Sequence, residues 1–292
     1  MNPGTAAFAD EFRRVWYRLK RSSTSLLGLG LVFMVIVTAV FAPWMAPYPE
    51  DVGRGVKFWQ AHQPPSSEHP FGTDHIGRDI LSRLMFGARI SLMLGFVVLG
   101  IAIAIGVPLG LVAGLWGGWV NTVIMRLTDI FLAIPPTLLA LAVASALSYN
   151  LTNAMFAIAF GWWPWFTRLV QGEVLKVKEE VFVEASRSLG ASKWRIAFKE
   201  VLPNVLSPLI VKATLDMGFV ILIGASLSFL GLGAQPPTPA WGTMIAEGRL
   251  YLPDSWWIAT FPGLAIFITV LGFNLLGDGL RDVFDVDLDR WN

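Results

Sequence analysis

The chain has 292 residues, 54% of them hydrophobic and 15% charged, with a net charge of +1 and no cysteine. Soluble domains carry roughly 25% charged residues, so this composition, with a mean hydropathy of +0.59, excludes an ordinary soluble domain. The near-zero charge offers no field for nucleic acid, and the lack of cysteine excludes disulfides, thiolate metal sites and cysteine nucleophiles.

Residues 1–25 are polar and basic, with Arg13, Arg14, Arg18, Lys20 and Arg21. An uncharged stretch over 26–46 follows and is long enough to cross a hydrocarbon core, which takes roughly 20 helical residues. Ala39 to Ala42 imitate a leader cleavage site, but Pro43 directly after them is unfavourable for cleavage. The stretch therefore reads as an uncleaved first span. Residues 47–89 form a polar loop broken by Pro47, Pro49, Pro64, Pro65 and Pro70. At its end Ile76, Ile80, Leu84 and Ala88 recur every four residues, with Arg78, Asp79, Ser82 and Arg83 off that face. This pattern predicts an amphipathic helix on the membrane interface, capped by Thr73 or Asp74 and carrying an i,i+4 pair between Asp79 and Arg83.

Further spans are predicted at 90–115, 123–147, 151–170, 207–232 and 257–276. Together with the first they make an all-α integral membrane protein with six transmembrane helices. The five-helix core is 90–276 and a tail runs over 277–292. Gly95, Gly100, Gly106, Gly110 and Gly114 punctuate the second span, where small residues let membrane helices approach closely. Six spans put both termini on one side. The loop 171–204 holds Lys176, Lys178, Arg187, Lys193, Arg195 and Lys199, whereas 233–256 holds only Arg249. The positive-inside rule then places both termini in the cytoplasm, with the basic residues of 47–89 as an exception.

Chemistry-bearing residues are few. No Gly-Lys dipeptide occurs, so the chain has no phosphate-binding loop, and any ATP hydrolysis belongs to another chain. His62, His69 and His75 all fall in the first loop, where a metal site competes with a plain structural reading. At membrane depth, Arg126 with Asp129 and Lys212 with Asp216 are spaced to neutralise each other along one helix face. Snorkelling interfacial pairs and an inner gate are the two readings. The absence of lone intramembrane acids argues against an autonomous proton-coupled carrier, and no convergent side chains support a membrane enzyme.

Residues 179–203 read E-E-V-F-V-E-A-S-R-S-L-G-A-S-K-W-R-I-A-F-K-E-V-L-P. A helix is expected from Val181 to Leu189, stopping at Gly190, and a second from Ser192 to a point before Pro203. Apolar residues interleaved with charge suggest a docking surface for a partner. The segment resembles the E-A-A-x3-G-x9-I-x-L-P loop of binding-protein-dependent ABC importer permeases, with Glu184, Ala185, Gly190, Leu202 and Pro203 at matching spacing. Ser186 stands for the third small residue and Glu200 for an apolar one.

Three more segments resemble the C-type permease subunits of the dipeptide, oligopeptide and nickel group. They are H-P-F-G-T-D-H-I-G-R-D-I-L-S-R-L-M-F-G-A-R-I-S-L at 69–92, A-S-L-S-F-L-G-L-G-A-Q-P-P-T-P-A-W-G at 225–242, and F-N-L-L-G-D-G-L-R-D at 273–282. Gly224 departs from that pattern, where members often carry an acid.

The resemblance implies a type I ABC importer permease fold in the bacterial inner membrane. It implies transport of a dipeptide or oligopeptide, with nickel or glutathione as alternatives. The chain would be a non-catalytic subunit, with no cofactor of its own and with ATP and magnesium held by partner ATPase subunits. A homologous second permease and an extracytoplasmic substrate-binding protein complete the implied set. Glu184, Ala185, Ser186, Leu189, Gly190, Leu202 and Pro203 would form the ATPase-coupling surface. Gly72, Thr73, Asp74, Gly77, Arg78 and Asp79 belong to the segment before the second span.

Overall fold

The computed structural model describes residues 22–53 and 55–288. The basic cluster expected in the N-terminal segment lies outside them. Nine α-helices carry the described chain, with 3-10 turns at Pro49–Val52, Phe58–Gln60 and Arg249–Tyr251 between them. The α-helices are α1 (Ser23–Met45), α2 (Ile80–Trp116), α3 (Gly118–Leu132), α4 (Pro136–Ala146), α5 (Leu151–Val177), α6 (Val181–Ser188), α7 (Lys193–Phe229), α8 (Trp241–Gly248) and α9 (Trp257–Leu288). The only bridge among the described residues joins Thr73 and Asp79.

Four helices, α1, α2, α7 and α9, are long and apolar enough to cross a membrane, and the pair α3–α4 makes a fifth if its two halves count as one span. That pair is bent by 84° at the break, where Pro135 and Pro136 cannot supply the N–H groups that would continue the ladder. The continuous span expected at 123–147 is therefore two half-helices. Helix α5, with 27 residues, starts at Asn150, whose side chain accepts from the Asn153 amide at 2.8 Å.

Glycines set the packing. A Cβ at Gly106, Gly110 or Gly114 would come within 2.7, 2.7 and 2.5 Å of Phe166, Val170 and Val174, so the backbones of α2 and α5 touch. A Cβ at Gly28 would lie 2.5 Å from the Leu276 amide, which seats α1 on α9. Lipid offers no hydrophobic drive for pairing, so such van der Waals contact is what holds spans together. The expected interhelical role is met at Gly106, Gly110 and Gly114, but Gly100 faces open space.

The interfacial helix expected before the second span does not exist separately. Its residues from Ile80 onward are the start of α2, which runs 37 residues without a break, about 55 Å. The boundary drawn at 89/90 falls inside that helix, and the one at 276/277 falls inside α9. Asp79, rather than Thr73 or Asp74, caps α2, accepting from the Ser82 amide at 2.7 Å. The polar face is also inverted. Arg78, Asp79, Ser82 and Arg83 are all buried, because residues 47–53, 55–79 and α8 fold over them as a cap.

Candidate functional sites: the exposed loop, the charged cap and the membrane-depth ion pairs

The α5–α7 connection stands at the far end of α2 from the cap. Helix α6 hides Val183 and turns Val181 outward, and Leu189 beyond it is 88% exposed. Glu184, Ala185 and Gly190 are exposed with them, while Ser186 is half-buried. Gly190 takes φ +79°, and a Cβ there would meet nothing within 4 Å, so glycine is required for backbone conformation and not for space. The loop is anchored from beneath by buried Ile196, Ala197 and Val201. Trp194 lies against Trp116 at 4.9 Å between ring centroids and stacks on Phe198 at 6.0 Å.

The Ser192 side chain starts the second helix as expected, accepting from the Arg195 amide. That helix does not end before Pro203. A π turn at Ile196–Val201 widens the ladder where the proline ring would clash with a carbonyl one turn back, and the chain continues through half-buried Leu202 and exposed Pro203 into the span. The two departures from the family pattern meet here: the Ser186 hydroxyl donates to the Glu200 carboxylate at 3.2 Å.

At the cap end, Asp74 is the hub. Its Oδ1 accepts from the Ile76 and Arg78 amides at 3.0 and 2.9 Å, and its Oδ2 accepts from Arg78 Nε at 2.7 Å and from the Arg83 guanidinium. Both arginines also reach Glu247 Oε2 on α8, at 3.5 and 3.4 Å. Burial by itself pushes the Asp74 carboxyl up, but Arg83, Arg78 and the hydrogen bonds from Arg78 together hold it below the usual carboxylate range. The expected Asp79–Arg83 pair is thus replaced. Arg83 serves Asp74, and Asp79 bonds the buried His69 Nδ1 at 2.9 Å while its own amide donates to Asp51 Oδ2 at 3.0 Å. Asp51 in turn holds Lys57 at 2.7 Å, and that hydrogen bond raises the lysine further. Gly77, at φ +85°, leaves no room for a side chain, since a Cβ would collide with the Lys57 carbonyl. Gly72 admits none beside the Gln63 carbonyl and Trp257, and Trp257 Nε1 donates to the Thr73 carbonyl at 3.1 Å.

The three histidines do not converge. His62 and His75 flank Tyr251, at 4.6 and 5.5 Å between rings, and His69 belongs to Asp79. Asp74, His75 and Glu247 lie within reach of one cation, but Arg78 and Arg83 already neutralise both carboxylates, so the arrangement does not favour a metal.

At membrane depth, the Lys212–Asp216 pair forms at 2.6 Å. Asp216 is buried and also accepts from Trp162 Nε1 at 2.9 Å, and Lys212 lies 5.3 Å from the Trp165 ring centre. The Arg126–Asp129 pair does not form. Asp129 bonds Arg168 of α5 instead, and Arg126 has no ion-pair partner among the described residues. Gly224, where the acid is missing, faces the end of the Leu94 side chain, which a Cβ there would approach to 2.5 Å.

Residues 106–290 match the family described as binding-protein-dependent transport system inner membrane component, and residues 11–65 match the N-terminal TM domain of oligopeptide transport permease C. This chain belongs to that family of inner-membrane permeases. The permease is similar to a probable D,D-dipeptide transport system permease protein of Escherichia coli K12, with 43% identity over 93% of this chain and 90% of the relative. A dipeptide transport system permease protein of Alkalihalophilus pseudofirmus is also 43% identical, over 94% and 89%. A glutathione transport system permease protein of Escherichia coli O6:K15:H31 is 45% identical, over 92% and 88%. The fold is similar to that of a solved methionine ABC transporter, MetNI, in an inward-facing conformation, with TM-score 0.59, 22% identity, and coverage of 70% of this chain and 97% of that one.

The permease is therefore a multi-pass, non-catalytic component of an ABC transporter that works with a binding protein and ATPases. Of the anticipated loop residues, Glu184, Ala185, Leu189, Gly190 and Pro203 are exposed, while Ser186 and Leu202 are half-buried. In the cap, Asp51 and Glu247 escaped sequence reasoning as network members, as did Arg168 and Trp162 at depth, because each partner is remote in sequence and no spacing rule reports it; Arg83 was expected in a pair, but with Asp79 and not Asp74.

Proposed function

We propose that this permease is one of two transmembrane subunits of an importer for small peptides, driven through the α6–α7 connection by separate ATPase subunits. The observation that carries this reading is the exposed apolar surface of Val181, Phe182, Leu189 and Trp194, mounted on the buried residues Val183, Ile196 and Val201. Water-facing apolar residues on a rigid base suit insertion into a partner's groove. In this reading α1, α2, α3–α4, α5, α7 and α9 are six spans of a type I importer fold. The termini and the α6–α7 connection lie in the cytoplasm, where Lys176, Lys178, Arg187, Lys193, Arg195 and Lys199 support that side. Residues 47–79 with 233–256 form the outer cap that receives the loaded binding protein. ATP and magnesium act in the partner subunits, and a homologous permease completes the membrane pair.

The dipeptide, D,D-dipeptide and glutathione relatives, at 43–45% identity, support a solute carrying free carboxylate and ammonium groups. The test is co-purification of the tagged permease from native membranes in mild detergent, with uptake of alanyl-alanine and of glutathione by the intact cells. Recovery of ATPase chains, lost on substituting Glu184 and Gly190, is expected. Recovery of the permease without them, where a known importer stays assembled, overturns the coupling assignment. Uptake of neither peptide overturns the substrate assignment.

A further inference from the structure

Helix α2 carries no charged residue between Arg89 and its end at Trp116, and this stretch gives a ruler for depth. Thr167 of α5 packs against it: a Cβ at Gly106 would lie 3.0 Å from the Thr167 amide nitrogen, and one at Gly110 would lie 2.8 Å from its carbonyl. The next residue, Arg168, is thus level with residues 106–110 of α2, about 9–15 Å along the axis from Trp116. At this depth it pairs with Asp129 of α3, and both side chains are 48% exposed on this chain.

A half-exposed ion pair would be costly if it faced hydrocarbon. Charged groups in spans face a bundle interior or a water-filled path. A second observation marks the same face. One turn beyond Asp129 the α3–α4 span breaks and bends by 84°. Ala133, Ile134 and Pro135 are exposed there, and Pro135 gives α4 no side-chain cap. Irregular backbone at membrane depth is tolerated only against protein or a water-lined cavity. Arg126, one turn before Asp129 and without an ion-pair partner among the described residues, adds a cation to this face. The Lys212–Asp216 pair differs, because Trp162 and burial already complete it.

We propose that Asp129 and Arg168 form a polar station on the solute path, where Arg168 takes the carboxylate of a passing peptide and Asp129 its ammonium. The proposal rests on the peptide-importer reading and names the groups that meet the solute. A planar guanidinium binds a carboxylate through two parallel hydrogen bonds. A zwitterion that exchanges partners with a closed ion pair leaves no net charge behind, so passage does not strand a charge at depth.

The absence of cysteine from the chain makes the test direct. Asp129→Cys and Arg168→Cys are made in the otherwise native, assembled importer. Permeabilised membrane vesicles are then treated with sulfonatoethyl methanethiosulfonate, a water-soluble thiol reagent. Phe96→Cys and Phe267→Cys, at positions 61% exposed on apolar spans, report the lipid-facing rate. Labelling at 129 and 168 at least about ten-fold faster than at the controls is expected. Equal rates overturn the path placement and assign the pair to contact with the second permease or to lipid.

The chemistry is tested separately by uptake of alanyl-alanine. Arg168→Gln should lower it about ten-fold or more with assembly retained, and Arg168→Lys, which keeps the charge but not the two-pronged guanidinium, should recover it only in part. Full recovery by Arg168→Lys reduces the pair to a structural tie and overturns the station. Failure of the unsubstituted importer to take up alanyl-alanine or glutathione, with 129 and 168 still labelled, locates the error in the peptide reading instead.

Discussion

The contact between α2 and α5 can be tested with glycines of a single helix. Gly110 and Gly100 both lie inside α2, so alanine at either gains the same intrinsic helix preference, up to about 1 kcal/mol. They differ in what a methyl group meets. At Gly110 it would lie 2.7 Å from Val170 Cβ and 2.8 Å from the Thr167 carbonyl, about 0.6 Å or more short of the 3.4 Å where ordinary contact begins. At Gly100 it meets nothing within 4 Å. The obstruction includes backbone, so α5 must shift as a whole, and overpacking of this kind costs about 1–3 kcal/mol. Since the propensity terms cancel, Gly110→Ala should be about 1–3 kcal/mol less stable than Gly100→Ala. The assay is unfolding in mixed micelles with increasing dodecyl sulfate, followed by tryptophan fluorescence. Gly106→Ala, 2.7 Å from Phe166 Cβ and the Trp163 carbonyl, should behave like Gly110→Ala. Coincident curves for the Gly100 and Gly110 variants would refute the close backbone contact.

Four other outcomes are expected. Gly190→Asp leaves membrane insertion intact, because its surroundings are open, but strains a φ of +79° by about 1–2 kcal/mol and abolishes transport; normal uptake by that variant would sink the coupling role. Glu247→Ala leaves Arg78 and Arg83 short of a carboxylate and should destabilise the cap by about 3–5 kcal/mol, read as faster proteolysis of residues 47–79, whereas Glu68→Ala on the exposed surface should not. Because the Asp74 carboxyl is held below its usual value, its contribution is fully present above about pH 4 and is lost as pH falls below that; Asp74→Asn should flatten the acid limb of cap stability, and an unchanged acid limb would count against the network. Substituting Ser186 and Glu200 by alanine, singly and together, should give a coupling of about 0.5–1.5 kcal/mol, and strict additivity would show that their hydrogen bond contributes nothing.

Much of the fold was legible because its signals are local. The uncharged runs in α1, α2 and α9 announce spans by length alone, α7 does so despite the Lys212–Asp216 pair inside it, and Gly190 announces the end of α6 by its position after an amphipathic turn. The cap was not legible for a physical reason. Helical periodicity identifies a polar face but does not say which way it points, and here Asp79 and Arg83 point inward because Asp51, Asp74 and Glu247 wait there. Glu247 is 164 residues from Arg83, beyond any spacing rule. The Arg126–Asp129 expectation failed similarly. Three residues of separation permit a pair on one helix, but Arg168 on the neighbouring helix claims the carboxylate.

The glycine contacts also have a mechanical consequence. Gly106, Gly110 and Gly114 join α2 to α5 at three levels spread over about 12 Å of axis. Two rods fastened at three collinear points cannot slide, because every fastening would shear at once. Nor can they splay without opening all three. They travel as one strut from the cap to the Trp116 end, and the hinge that any rocking motion requires must sit elsewhere, with the broken turn at Ala133–Pro135 the flexure closest at hand.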